Sequence, residues 1–297
     1  MSENKQNWGI WMKNIGMFYF TGTQSSYYVA KELKEGLLKK GYNVKMFKLE
    51  KALNNTVEVD PKRFDMLGFV LPIYGFGSPR IAKAYVDALP RNNAKVFIIR
   101  TGCSNGWINK SASISLMHQL RKKWYDVFYD RILIVSSNWL LDMEEDVVKR
   151  LYEVTRDKKI PHIVKEITEE TRRRHHRDFF REVLVSVIHF FEEQVGARLF
   201  GRSLWANKKC TKCRLCEKRC PVGNIDFETG TFRAGWQCIW CMKCVYSCPE
   251  NAIHSRGLDI VQFRNGFNYK WIINRRFNQK KLNVNKKLWK YMENKEK

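Results

Sequence analysis

Eight of the nine cysteines fall between Cys210 and Cys248 and carry one pattern twice. Cys210-x-x-Cys213-x-x-Cys216-x-x-x-Cys220-Pro221 recurs as Cys238-x-x-Cys241-x-x-Cys244-x-x-x-Cys248-Pro249, and Ile225 and Ile253 follow at matching positions. Three thiols spaced by two residues on a loop can reach three irons of one cubane face. The fourth, followed by Pro, points away and reaches the other cluster. The spacing therefore predicts two 4Fe-4S clusters. One would be held by Cys210, Cys213, Cys216 and Cys248, the other by Cys238, Cys241, Cys244 and Cys220. Zinc favours cysteine pairs with longer spacers, and dense disulfides belong to short secreted chains. Neither suits this repeat. Trp236, Trp240 and Tyr246 stand among the ligands, where apolar bulk would exclude water and tune the clusters.

A second chemistry is written near the other end. The apolar run Ile15–Phe20 breaks into Thr21-Gly22-Thr23-Gln24-Ser25-Ser26 and then into a helical pattern. Hydroxyls and free N–H groups at a helix start make an anion site. The loop has no Lys, so it is not a triphosphate loop. A phosphate monoester such as that of FMN suits it. No G-x-G-x-x-G followed by an acidic residue occurs, which gives no support to direct oxidation of a nicotinamide dinucleotide.

These groups need a scaffold, and the first 140 residues alternate strand-like and helix-like segments. Strands are expected at Ile15–Phe20, Val44–Leu49, Met66–Pro72, Lys95–Arg100 and Arg131–Ser136. Helices are expected at Tyr27–Lys40, Ile81–Leu89 and Ser113–Trp124. That alternation predicts an α/β fold, a doubly wound parallel five-stranded sheet with helices on both faces. Such sheets bind ligands at the carboxyl ends of their strands, where the Gly- and hydroxyl-rich loops fall. Trp139, after Asn138 at the last strand's end, reads as core. Residues 144–204 read as a helical connector. Its apolar Phe179–Leu199 stretch, after a basic turn at 172–177, reads as an interdomain helix or as a membrane-surface or partner helix. Domains are expected at 1–143, 144–204, 205–256 (a small α+β unit with the cysteines) and 257–297, the last a basic extension wrapped on its own protein.

Residues about 205–255 resemble a bacterial dicluster ferredoxin, which implies single-electron transfer at low potential. The Thr21–Ser26 loop resembles the Thr/Ser-x-Thr-Gly-Asn-Thr/Ser loop of flavodoxins. Pro72-Ile73-Tyr74-Gly75-Phe76-Gly77 and Thr101–Gly106 resemble the two loops that face the flavin ring. The whole chain thus resembles flavodoxin–ferredoxin fusion proteins. The resemblance implies FMN held by Thr21, Thr23, Gln24, Ser25 and Ser26 at the phosphate. It places Tyr74, Gly75, Phe76, Gly77, Gly102 and Cys103 at the ring, Tyr74 stacking. Gln24 departs from the family's Gly; it could donate its N–H only if φ were negative, because Gly tolerates positive φ. No catalytic residue is readable.

The formal charge is +24, from 54 Lys and Arg against 30 Asp and Glu. Eight thiolates and two cubanes would remove only about 4 of this. Lys208, Lys209, Lys212, Arg214, Lys218, Arg219 and Lys243 crowd the ligands, and they imply an acidic redox partner. The 44% apolar content argues against wholesale disorder. No run nears the roughly 18 apolar residues of a membrane span, although peripheral contact is compatible. The N-terminus has no apolar export signal, which points to the cytoplasm. Three functions fit: an electron carrier, a flavoenzyme reducing a small substrate with the clusters as electron inlet, and a binding module for nucleic acid or anionic lipid. The carrier reading is favoured, with no nucleic-acid partner expected.

Overall fold

In a computed structural model, residues 12–136, 143–173, 179–257, 267–276 and 284–293 are described. Asn138, Trp139 and residues 174–177 of the basic turn lie outside them. Five parallel strands, β1 (Asn14–Tyr19), β2 (Asn43–Lys48), β3 (Met66–Pro72), β4 (Lys95–Gly102) and β5 (Asp126–Ile134), form one sheet in the order β2-β1-β3-β4-β5. This is the flavodoxin-like order. Alternate residues of each strand feed opposite cores. Phe18, Phe69, Leu71 and Ile98 pack on one face. Ile15, Met17, Val70, Phe97 and Ile99 pack on the other. Burial on both faces is why these strands read as nearly unbroken apolar runs.

Helices α1 (Ser25–Leu38), α2 (Leu49–Leu53), α3 (Arg80–Ala88), α4 (Trp107–Lys110) and α5 (Ile114–Lys122) connect the strands. After β5 come α6 (Glu145–Val154), a π-helical turn (Thr155–Lys159) and α7 (Ile160–Thr168). Ile160, Ile163, Val164 and Ile167 of α7 join the core beneath α1. The opening part of the expected connector therefore covers a face of the sheet. Strand β5 begins at Asp126, ahead of the expected Arg131. The charge of Asp130 masks its first half in the sequence. In the fold Asp130 is buried, and Arg100 grips it through two bonds of 2.8 and 2.7 Å. The same guanidinium donates to the carbonyls of Asn109 (2.6 Å) and Lys110 (3.1 Å), which fixes the loop beyond β4.

A long helical rod follows: α8 (Phe179–Phe191), a second π-helical turn (Glu192–Gly196) and α9 (Ala197–Ser203). It leads into the cysteine-bearing unit. There β6 (Leu204–Ala206) pairs with β9 (Ile253–Ser255), and β7 (Ile225–Asp226) with β8 (Arg233–Ala234), all antiparallel. The short helices α10 (Leu215–Arg219) and α11 (Lys243–Tyr246) each follow a cysteine loop. Beyond it, α12 (Tyr269–Asn274) buries Tyr269, Ile272 and Ile273 against Tyr152, and α13 (Lys286–Glu293) buries Met292 against Leu151. The described parts of the basic extension thus pack on α6.

Candidate functional site

The two cysteine runs share a backbone as well as a spacing. Lys212 and Arg214 flank Cys213 with φ of 56° and 58°, and Trp240 and Met242 flank Cys241 with φ of 59° and 58°. Three residues past each final cysteine, Gly223 (62°) and Asn251 (47°) are left-handed too. The N–H of Asn224 donates to Cys220 Sγ at 3.1 Å, and that of Ala252 to Cys248 Sγ at 3.3 Å. Such bonds favour thiolate character and orient the sulfur.

The chain folds so that each run lends its last cysteine to the other. Cys210, Cys213, Cys216 and Cys248 line one small apolar cavity with Phe227, Phe232 and Ile253. Burial, opposed by neighbouring backbone N–H groups and reinforced by Cys248 and Cys210, pushes the Cys216 thiol up to about 11. In the other group, burial and the nearby Cys220 sulfur push Cys238 up to about 11. Burial and Cys238 push Cys241 up to about 12, and Cys244 lies well above the ordinary value. Four converging soft donors in apolar surroundings fit a cubane, and ligation would require each to lose its proton. The shielding role expected for Trp236 does not hold: its side chain is 52% exposed.

At the carboxyl ends of β1, β3, β4 and β5 lies a cavity of about 140 Å³ that opens to solvent. It collects part of each expected loop, while Thr21 and Gln24 line a neighbouring cleft with Glu50, Cys220, Lys243 and Cys248. Thr23, Ser25 and Ser26 lie at one end, Tyr74, Gly75 and Phe76 along one side, and Gly102 and Cys103 along another. Gly77 stands behind them, closing the turn: Tyr74 and Gly77 exchange N–H···O bonds of 3.0 and 2.9 Å. Gly75 and Phe76 between them both have positive φ, the two-residue turn that suits a tight hairpin. Burial raises the Cys103 thiol, so it stays neutral.

Three expectations about this loop set are corrected by the geometry. Gln24 is left-handed (φ 74°), so the glycine-like turn survives at a cost of roughly 1–2 kcal/mol instead of being replaced by a negative-φ form. Ser26 turns inward to bond the Thr101 hydroxyl at 2.7 Å, so it ties α1 to β4. Tyr74 is no free plate. Its ring meets Phe20 edge-on at 6.2 Å, and the Gly22 N–H donates to its hydroxyl. Burial, then the adjacent Cys241, push its phenol well above the ordinary value.

The groups present fit a phosphate-bearing ligand. Thr21, only 6% exposed, has a hydroxyl with no hydrogen-bond partner among the described residues. Beside it the α1 N-terminus and the Ser25 hydroxyl carry no acid.

Sequence reasoning missed the roof of this cavity. Trp240, from the second cysteine loop, and Glu192, from the π-turn, both line it. A Cβ on Gly22 would overlap the Cys241 carbonyl oxygen, so the phosphate loop and the second cysteine loop touch backbone to backbone. Ile239 and Cys241 are part of the sheet's own core. A Cβ on Gly75 would strike Glu192, and one on Gly77 would strike the His189 ring. The His189 Nδ1–H donates to the Gly75 carbonyl at 2.8 Å, and its Nε2 accepts from Lys83 at 3.3 Å. Burial and Lys83 keep that imidazole neutral by lowering its affinity for a second proton. Burial acts oppositely on Glu192, raising its carboxyl; its Oε2 has no hydrogen-bond partner among the described residues. The glycines at 22, 75 and 77 were visible signals of close approach, but nothing in the sequence said what approached.

Residues 204–249 match the 4Fe-4S dicluster domain family. The chain is 41% identical over 54 residues to the pyruvate synthase subunit PorD of Methanocaldococcus jannaschii, a match covering 18% of this chain and 63% of that protein. Among solved structures it is similar to flavodoxin 2 from Bacillus cereus (16% identity, TM-score 0.38, 53% of this chain and 99% of that one). It is also similar to the NAD(P)H:quinone oxidoreductase from Methanothermobacter marburgensis (12% identity, TM-score 0.38, 52% and 99%). The chain spans less than two thirds of the length of the PorD subunit it matches. In this chain a dicluster ferredoxin domain with 4Fe-4S clusters is joined to a flavodoxin-like α/β domain. No helix among the described residues is long and apolar enough to cross a membrane.

Proposed function

We propose that the protein passes electrons one at a time between its two clusters and an FMN seated at the sheet's carboxyl ends. The clusters exchange one electron each, and FMN supplies the means to hold one or two. Cys210, Cys213, Cys216 and Cys248 would ligate the first cluster, and Cys220, Cys238, Cys241 and Cys244 the second. Thr21, Thr23, Ser25 and the backbone N–H groups of the loop would bind the phosphate, with Gln24 holding the turn. Tyr74, Gly75, Phe76, Gly77, Gly102 and Cys103 would shape the ring pocket. Trp240 would cover it and exclude water. The observation that carries this reading is the contact of Gly22 with Cys241, which sets a cluster ligand against the flavin loop. Donor and acceptor so held need no diffusional encounter.

The outer partner we infer is an acidic redox protein in the cytoplasm. It would dock where Lys208, Lys209, Lys212, Lys218 and Arg219 stand exposed around the first cysteine loop. No nucleic-acid partner is part of this reading. The test is anaerobic purification with iron, sulfide and flavin measured on one sample. About eight irons with one FMN supports the proposal. Zinc in place of iron overturns it entirely. Eight irons with no flavin, even after incubation with excess FMN, removes the flavin half. One observation favours a second reading: Glu192, its carboxyl raised by burial, faces the open cavity. A carboxyl there could serve a reductase acting on a small substrate, which steady turnover of a quinone by reduced protein alone would reveal.

A further inference from the structure

We infer that the outward face of the α8–α9 rod is a docking surface for an anionic lipid bilayer, on which the protein lies without crossing. Phe180 is 83% exposed, Phe179 70% and Phe191 60%. With them Val183, Leu184, Val187, Phe190, Val195 and Leu199 stand open along the rod. Positions 180, 184, 187 and 191 repeat at helical spacing, so these residues form one stripe. The opposite face is spent on the protein itself, through Val185 and His189. An open apolar patch of this extent marks an interaction surface.

Charge selects the occupant. The rod contains three acids, and each is turned inward. Glu182 is buried, Glu192 lines the cavity and Glu193 pairs with Lys83 at 2.5 Å. The exposed charges along the rod are the cations Arg181 and Arg202, while Arg198 is half-buried and bonds Gln194 at 2.7 Å. Arg181 sits 5.9 Å from the ring of Trp107, which is itself exposed. An apolar stripe with aromatic pairs at both ends of α8, cations along it and no outward acid matches an interfacial helix on anionic lipid. A second copy of the same face would set these cations against each other. The chain's +24 charge adds long-range attraction of the same sign. This inference does not depend on FMN.

The test uses the full-length, cluster-loaded protein and sedimenting vesicles. One set is phosphatidylcholine alone, and the other contains phosphatidylglycerol. The protein should pellet with the anionic vesicles at least about tenfold more tightly than with the neutral ones. Phe180→Glu and Val187→Glu should each weaken pelleting by about tenfold or more, with cluster absorption unchanged, since both side chains point outward. The proposal is overturned if the wild-type protein stays in the supernatant, or if Phe180→Glu pellets equally well. It is also overturned if the protein is a dimer that Phe180→Glu splits, which would make a second copy the occupant.

Discussion

The two cysteine loops have the same spacing and the same left-handed residues, yet they live in different surroundings. The first faces outward: Cys213 is exposed and Lys212 and Arg214 flank it. The second faces inward. Cys238 and Cys241 are buried, Trp240 and Met242 replace the two cations, and the backbone rests on Gly22 of the sheet domain. Duplication thus supplied two equivalent ligand frames, and the two flanking residues decided which met solvent and which met protein. An outer loop suited to a partner and an inner loop suited to a fixed neighbour give the pair a direction.

The strongest way to break this comparison is to delete one ligand from each frame. Cys216→Ala and Cys241→Ala should each leave about four irons. Only the inner variant should also weaken FMN, by roughly tenfold or 1.4 kcal/mol, as followed by flavin fluorescence during titration. Equal flavin affinity in the two would show that the loops are functionally alike. A subtler cut keeps all eight thiols. Gly22→Ala forces a methyl against the Cys241 carbonyl and should cost about 1–3 kcal/mol of stability in a denaturant melt with iron content unchanged. A wild-type midpoint would mean that the contact is loose.

The effect of Gln24→Gly should be smaller. Removing the left-handed penalty should add about 1 kcal/mol to stability and tighten FMN several-fold. Weaker binding would mean the glutamine side chain itself contacts ligand. Smallest is a pH effect confined to the contact between α7 and β5. Burial alone would raise Glu166, but the Tyr129 hydroxyl and the Arg173 and Arg131 guanidiniums outweigh it and hold the carboxyl below its usual 4.5. Because the folded value is lowered, the stability it contributes is present above 4.5 and is lost as pH falls through the lowered value. Glu166→Gln should therefore flatten the acid limb of the stability curve. An unchanged limb would assign acid sensitivity to the cysteine unit.

What the sequence disclosed was local. Ligand sets follow from spacing, and Met66–Pro72 was legible to the residue because each of its positions is buried. The Thr21–Ser26 loop was legible from composition. What it hid depends on distant partners. Asp130 disguised the start of β5 because its charge is satisfied by Arg100, thirty positions away. The strands β6 to β9, two or three residues each, are too short to show a period. Trp240 reads as shielding when only its neighbours in sequence are considered. Its position over the cavity follows from domain docking, which leaves no trace in spacing.

Strand β5 ends the sheet, and an unpaired strand is an invitation to cross-molecular pairing. Here the outer rim is occupied by chain that comes much later. The Arg173 backbone bonds Phe128 and Asp130 at 3.0 and 2.9 Å, and the Tyr291 hydroxyl accepts from the Ile134 N–H at 3.0 Å. Because ribosomes deliver residue 134 long before residue 291, the nascent sheet passes through an interval with a sticky border. Chaperone demand and clumping during expression should concentrate in that interval, and trimming α13 should prolong it indefinitely.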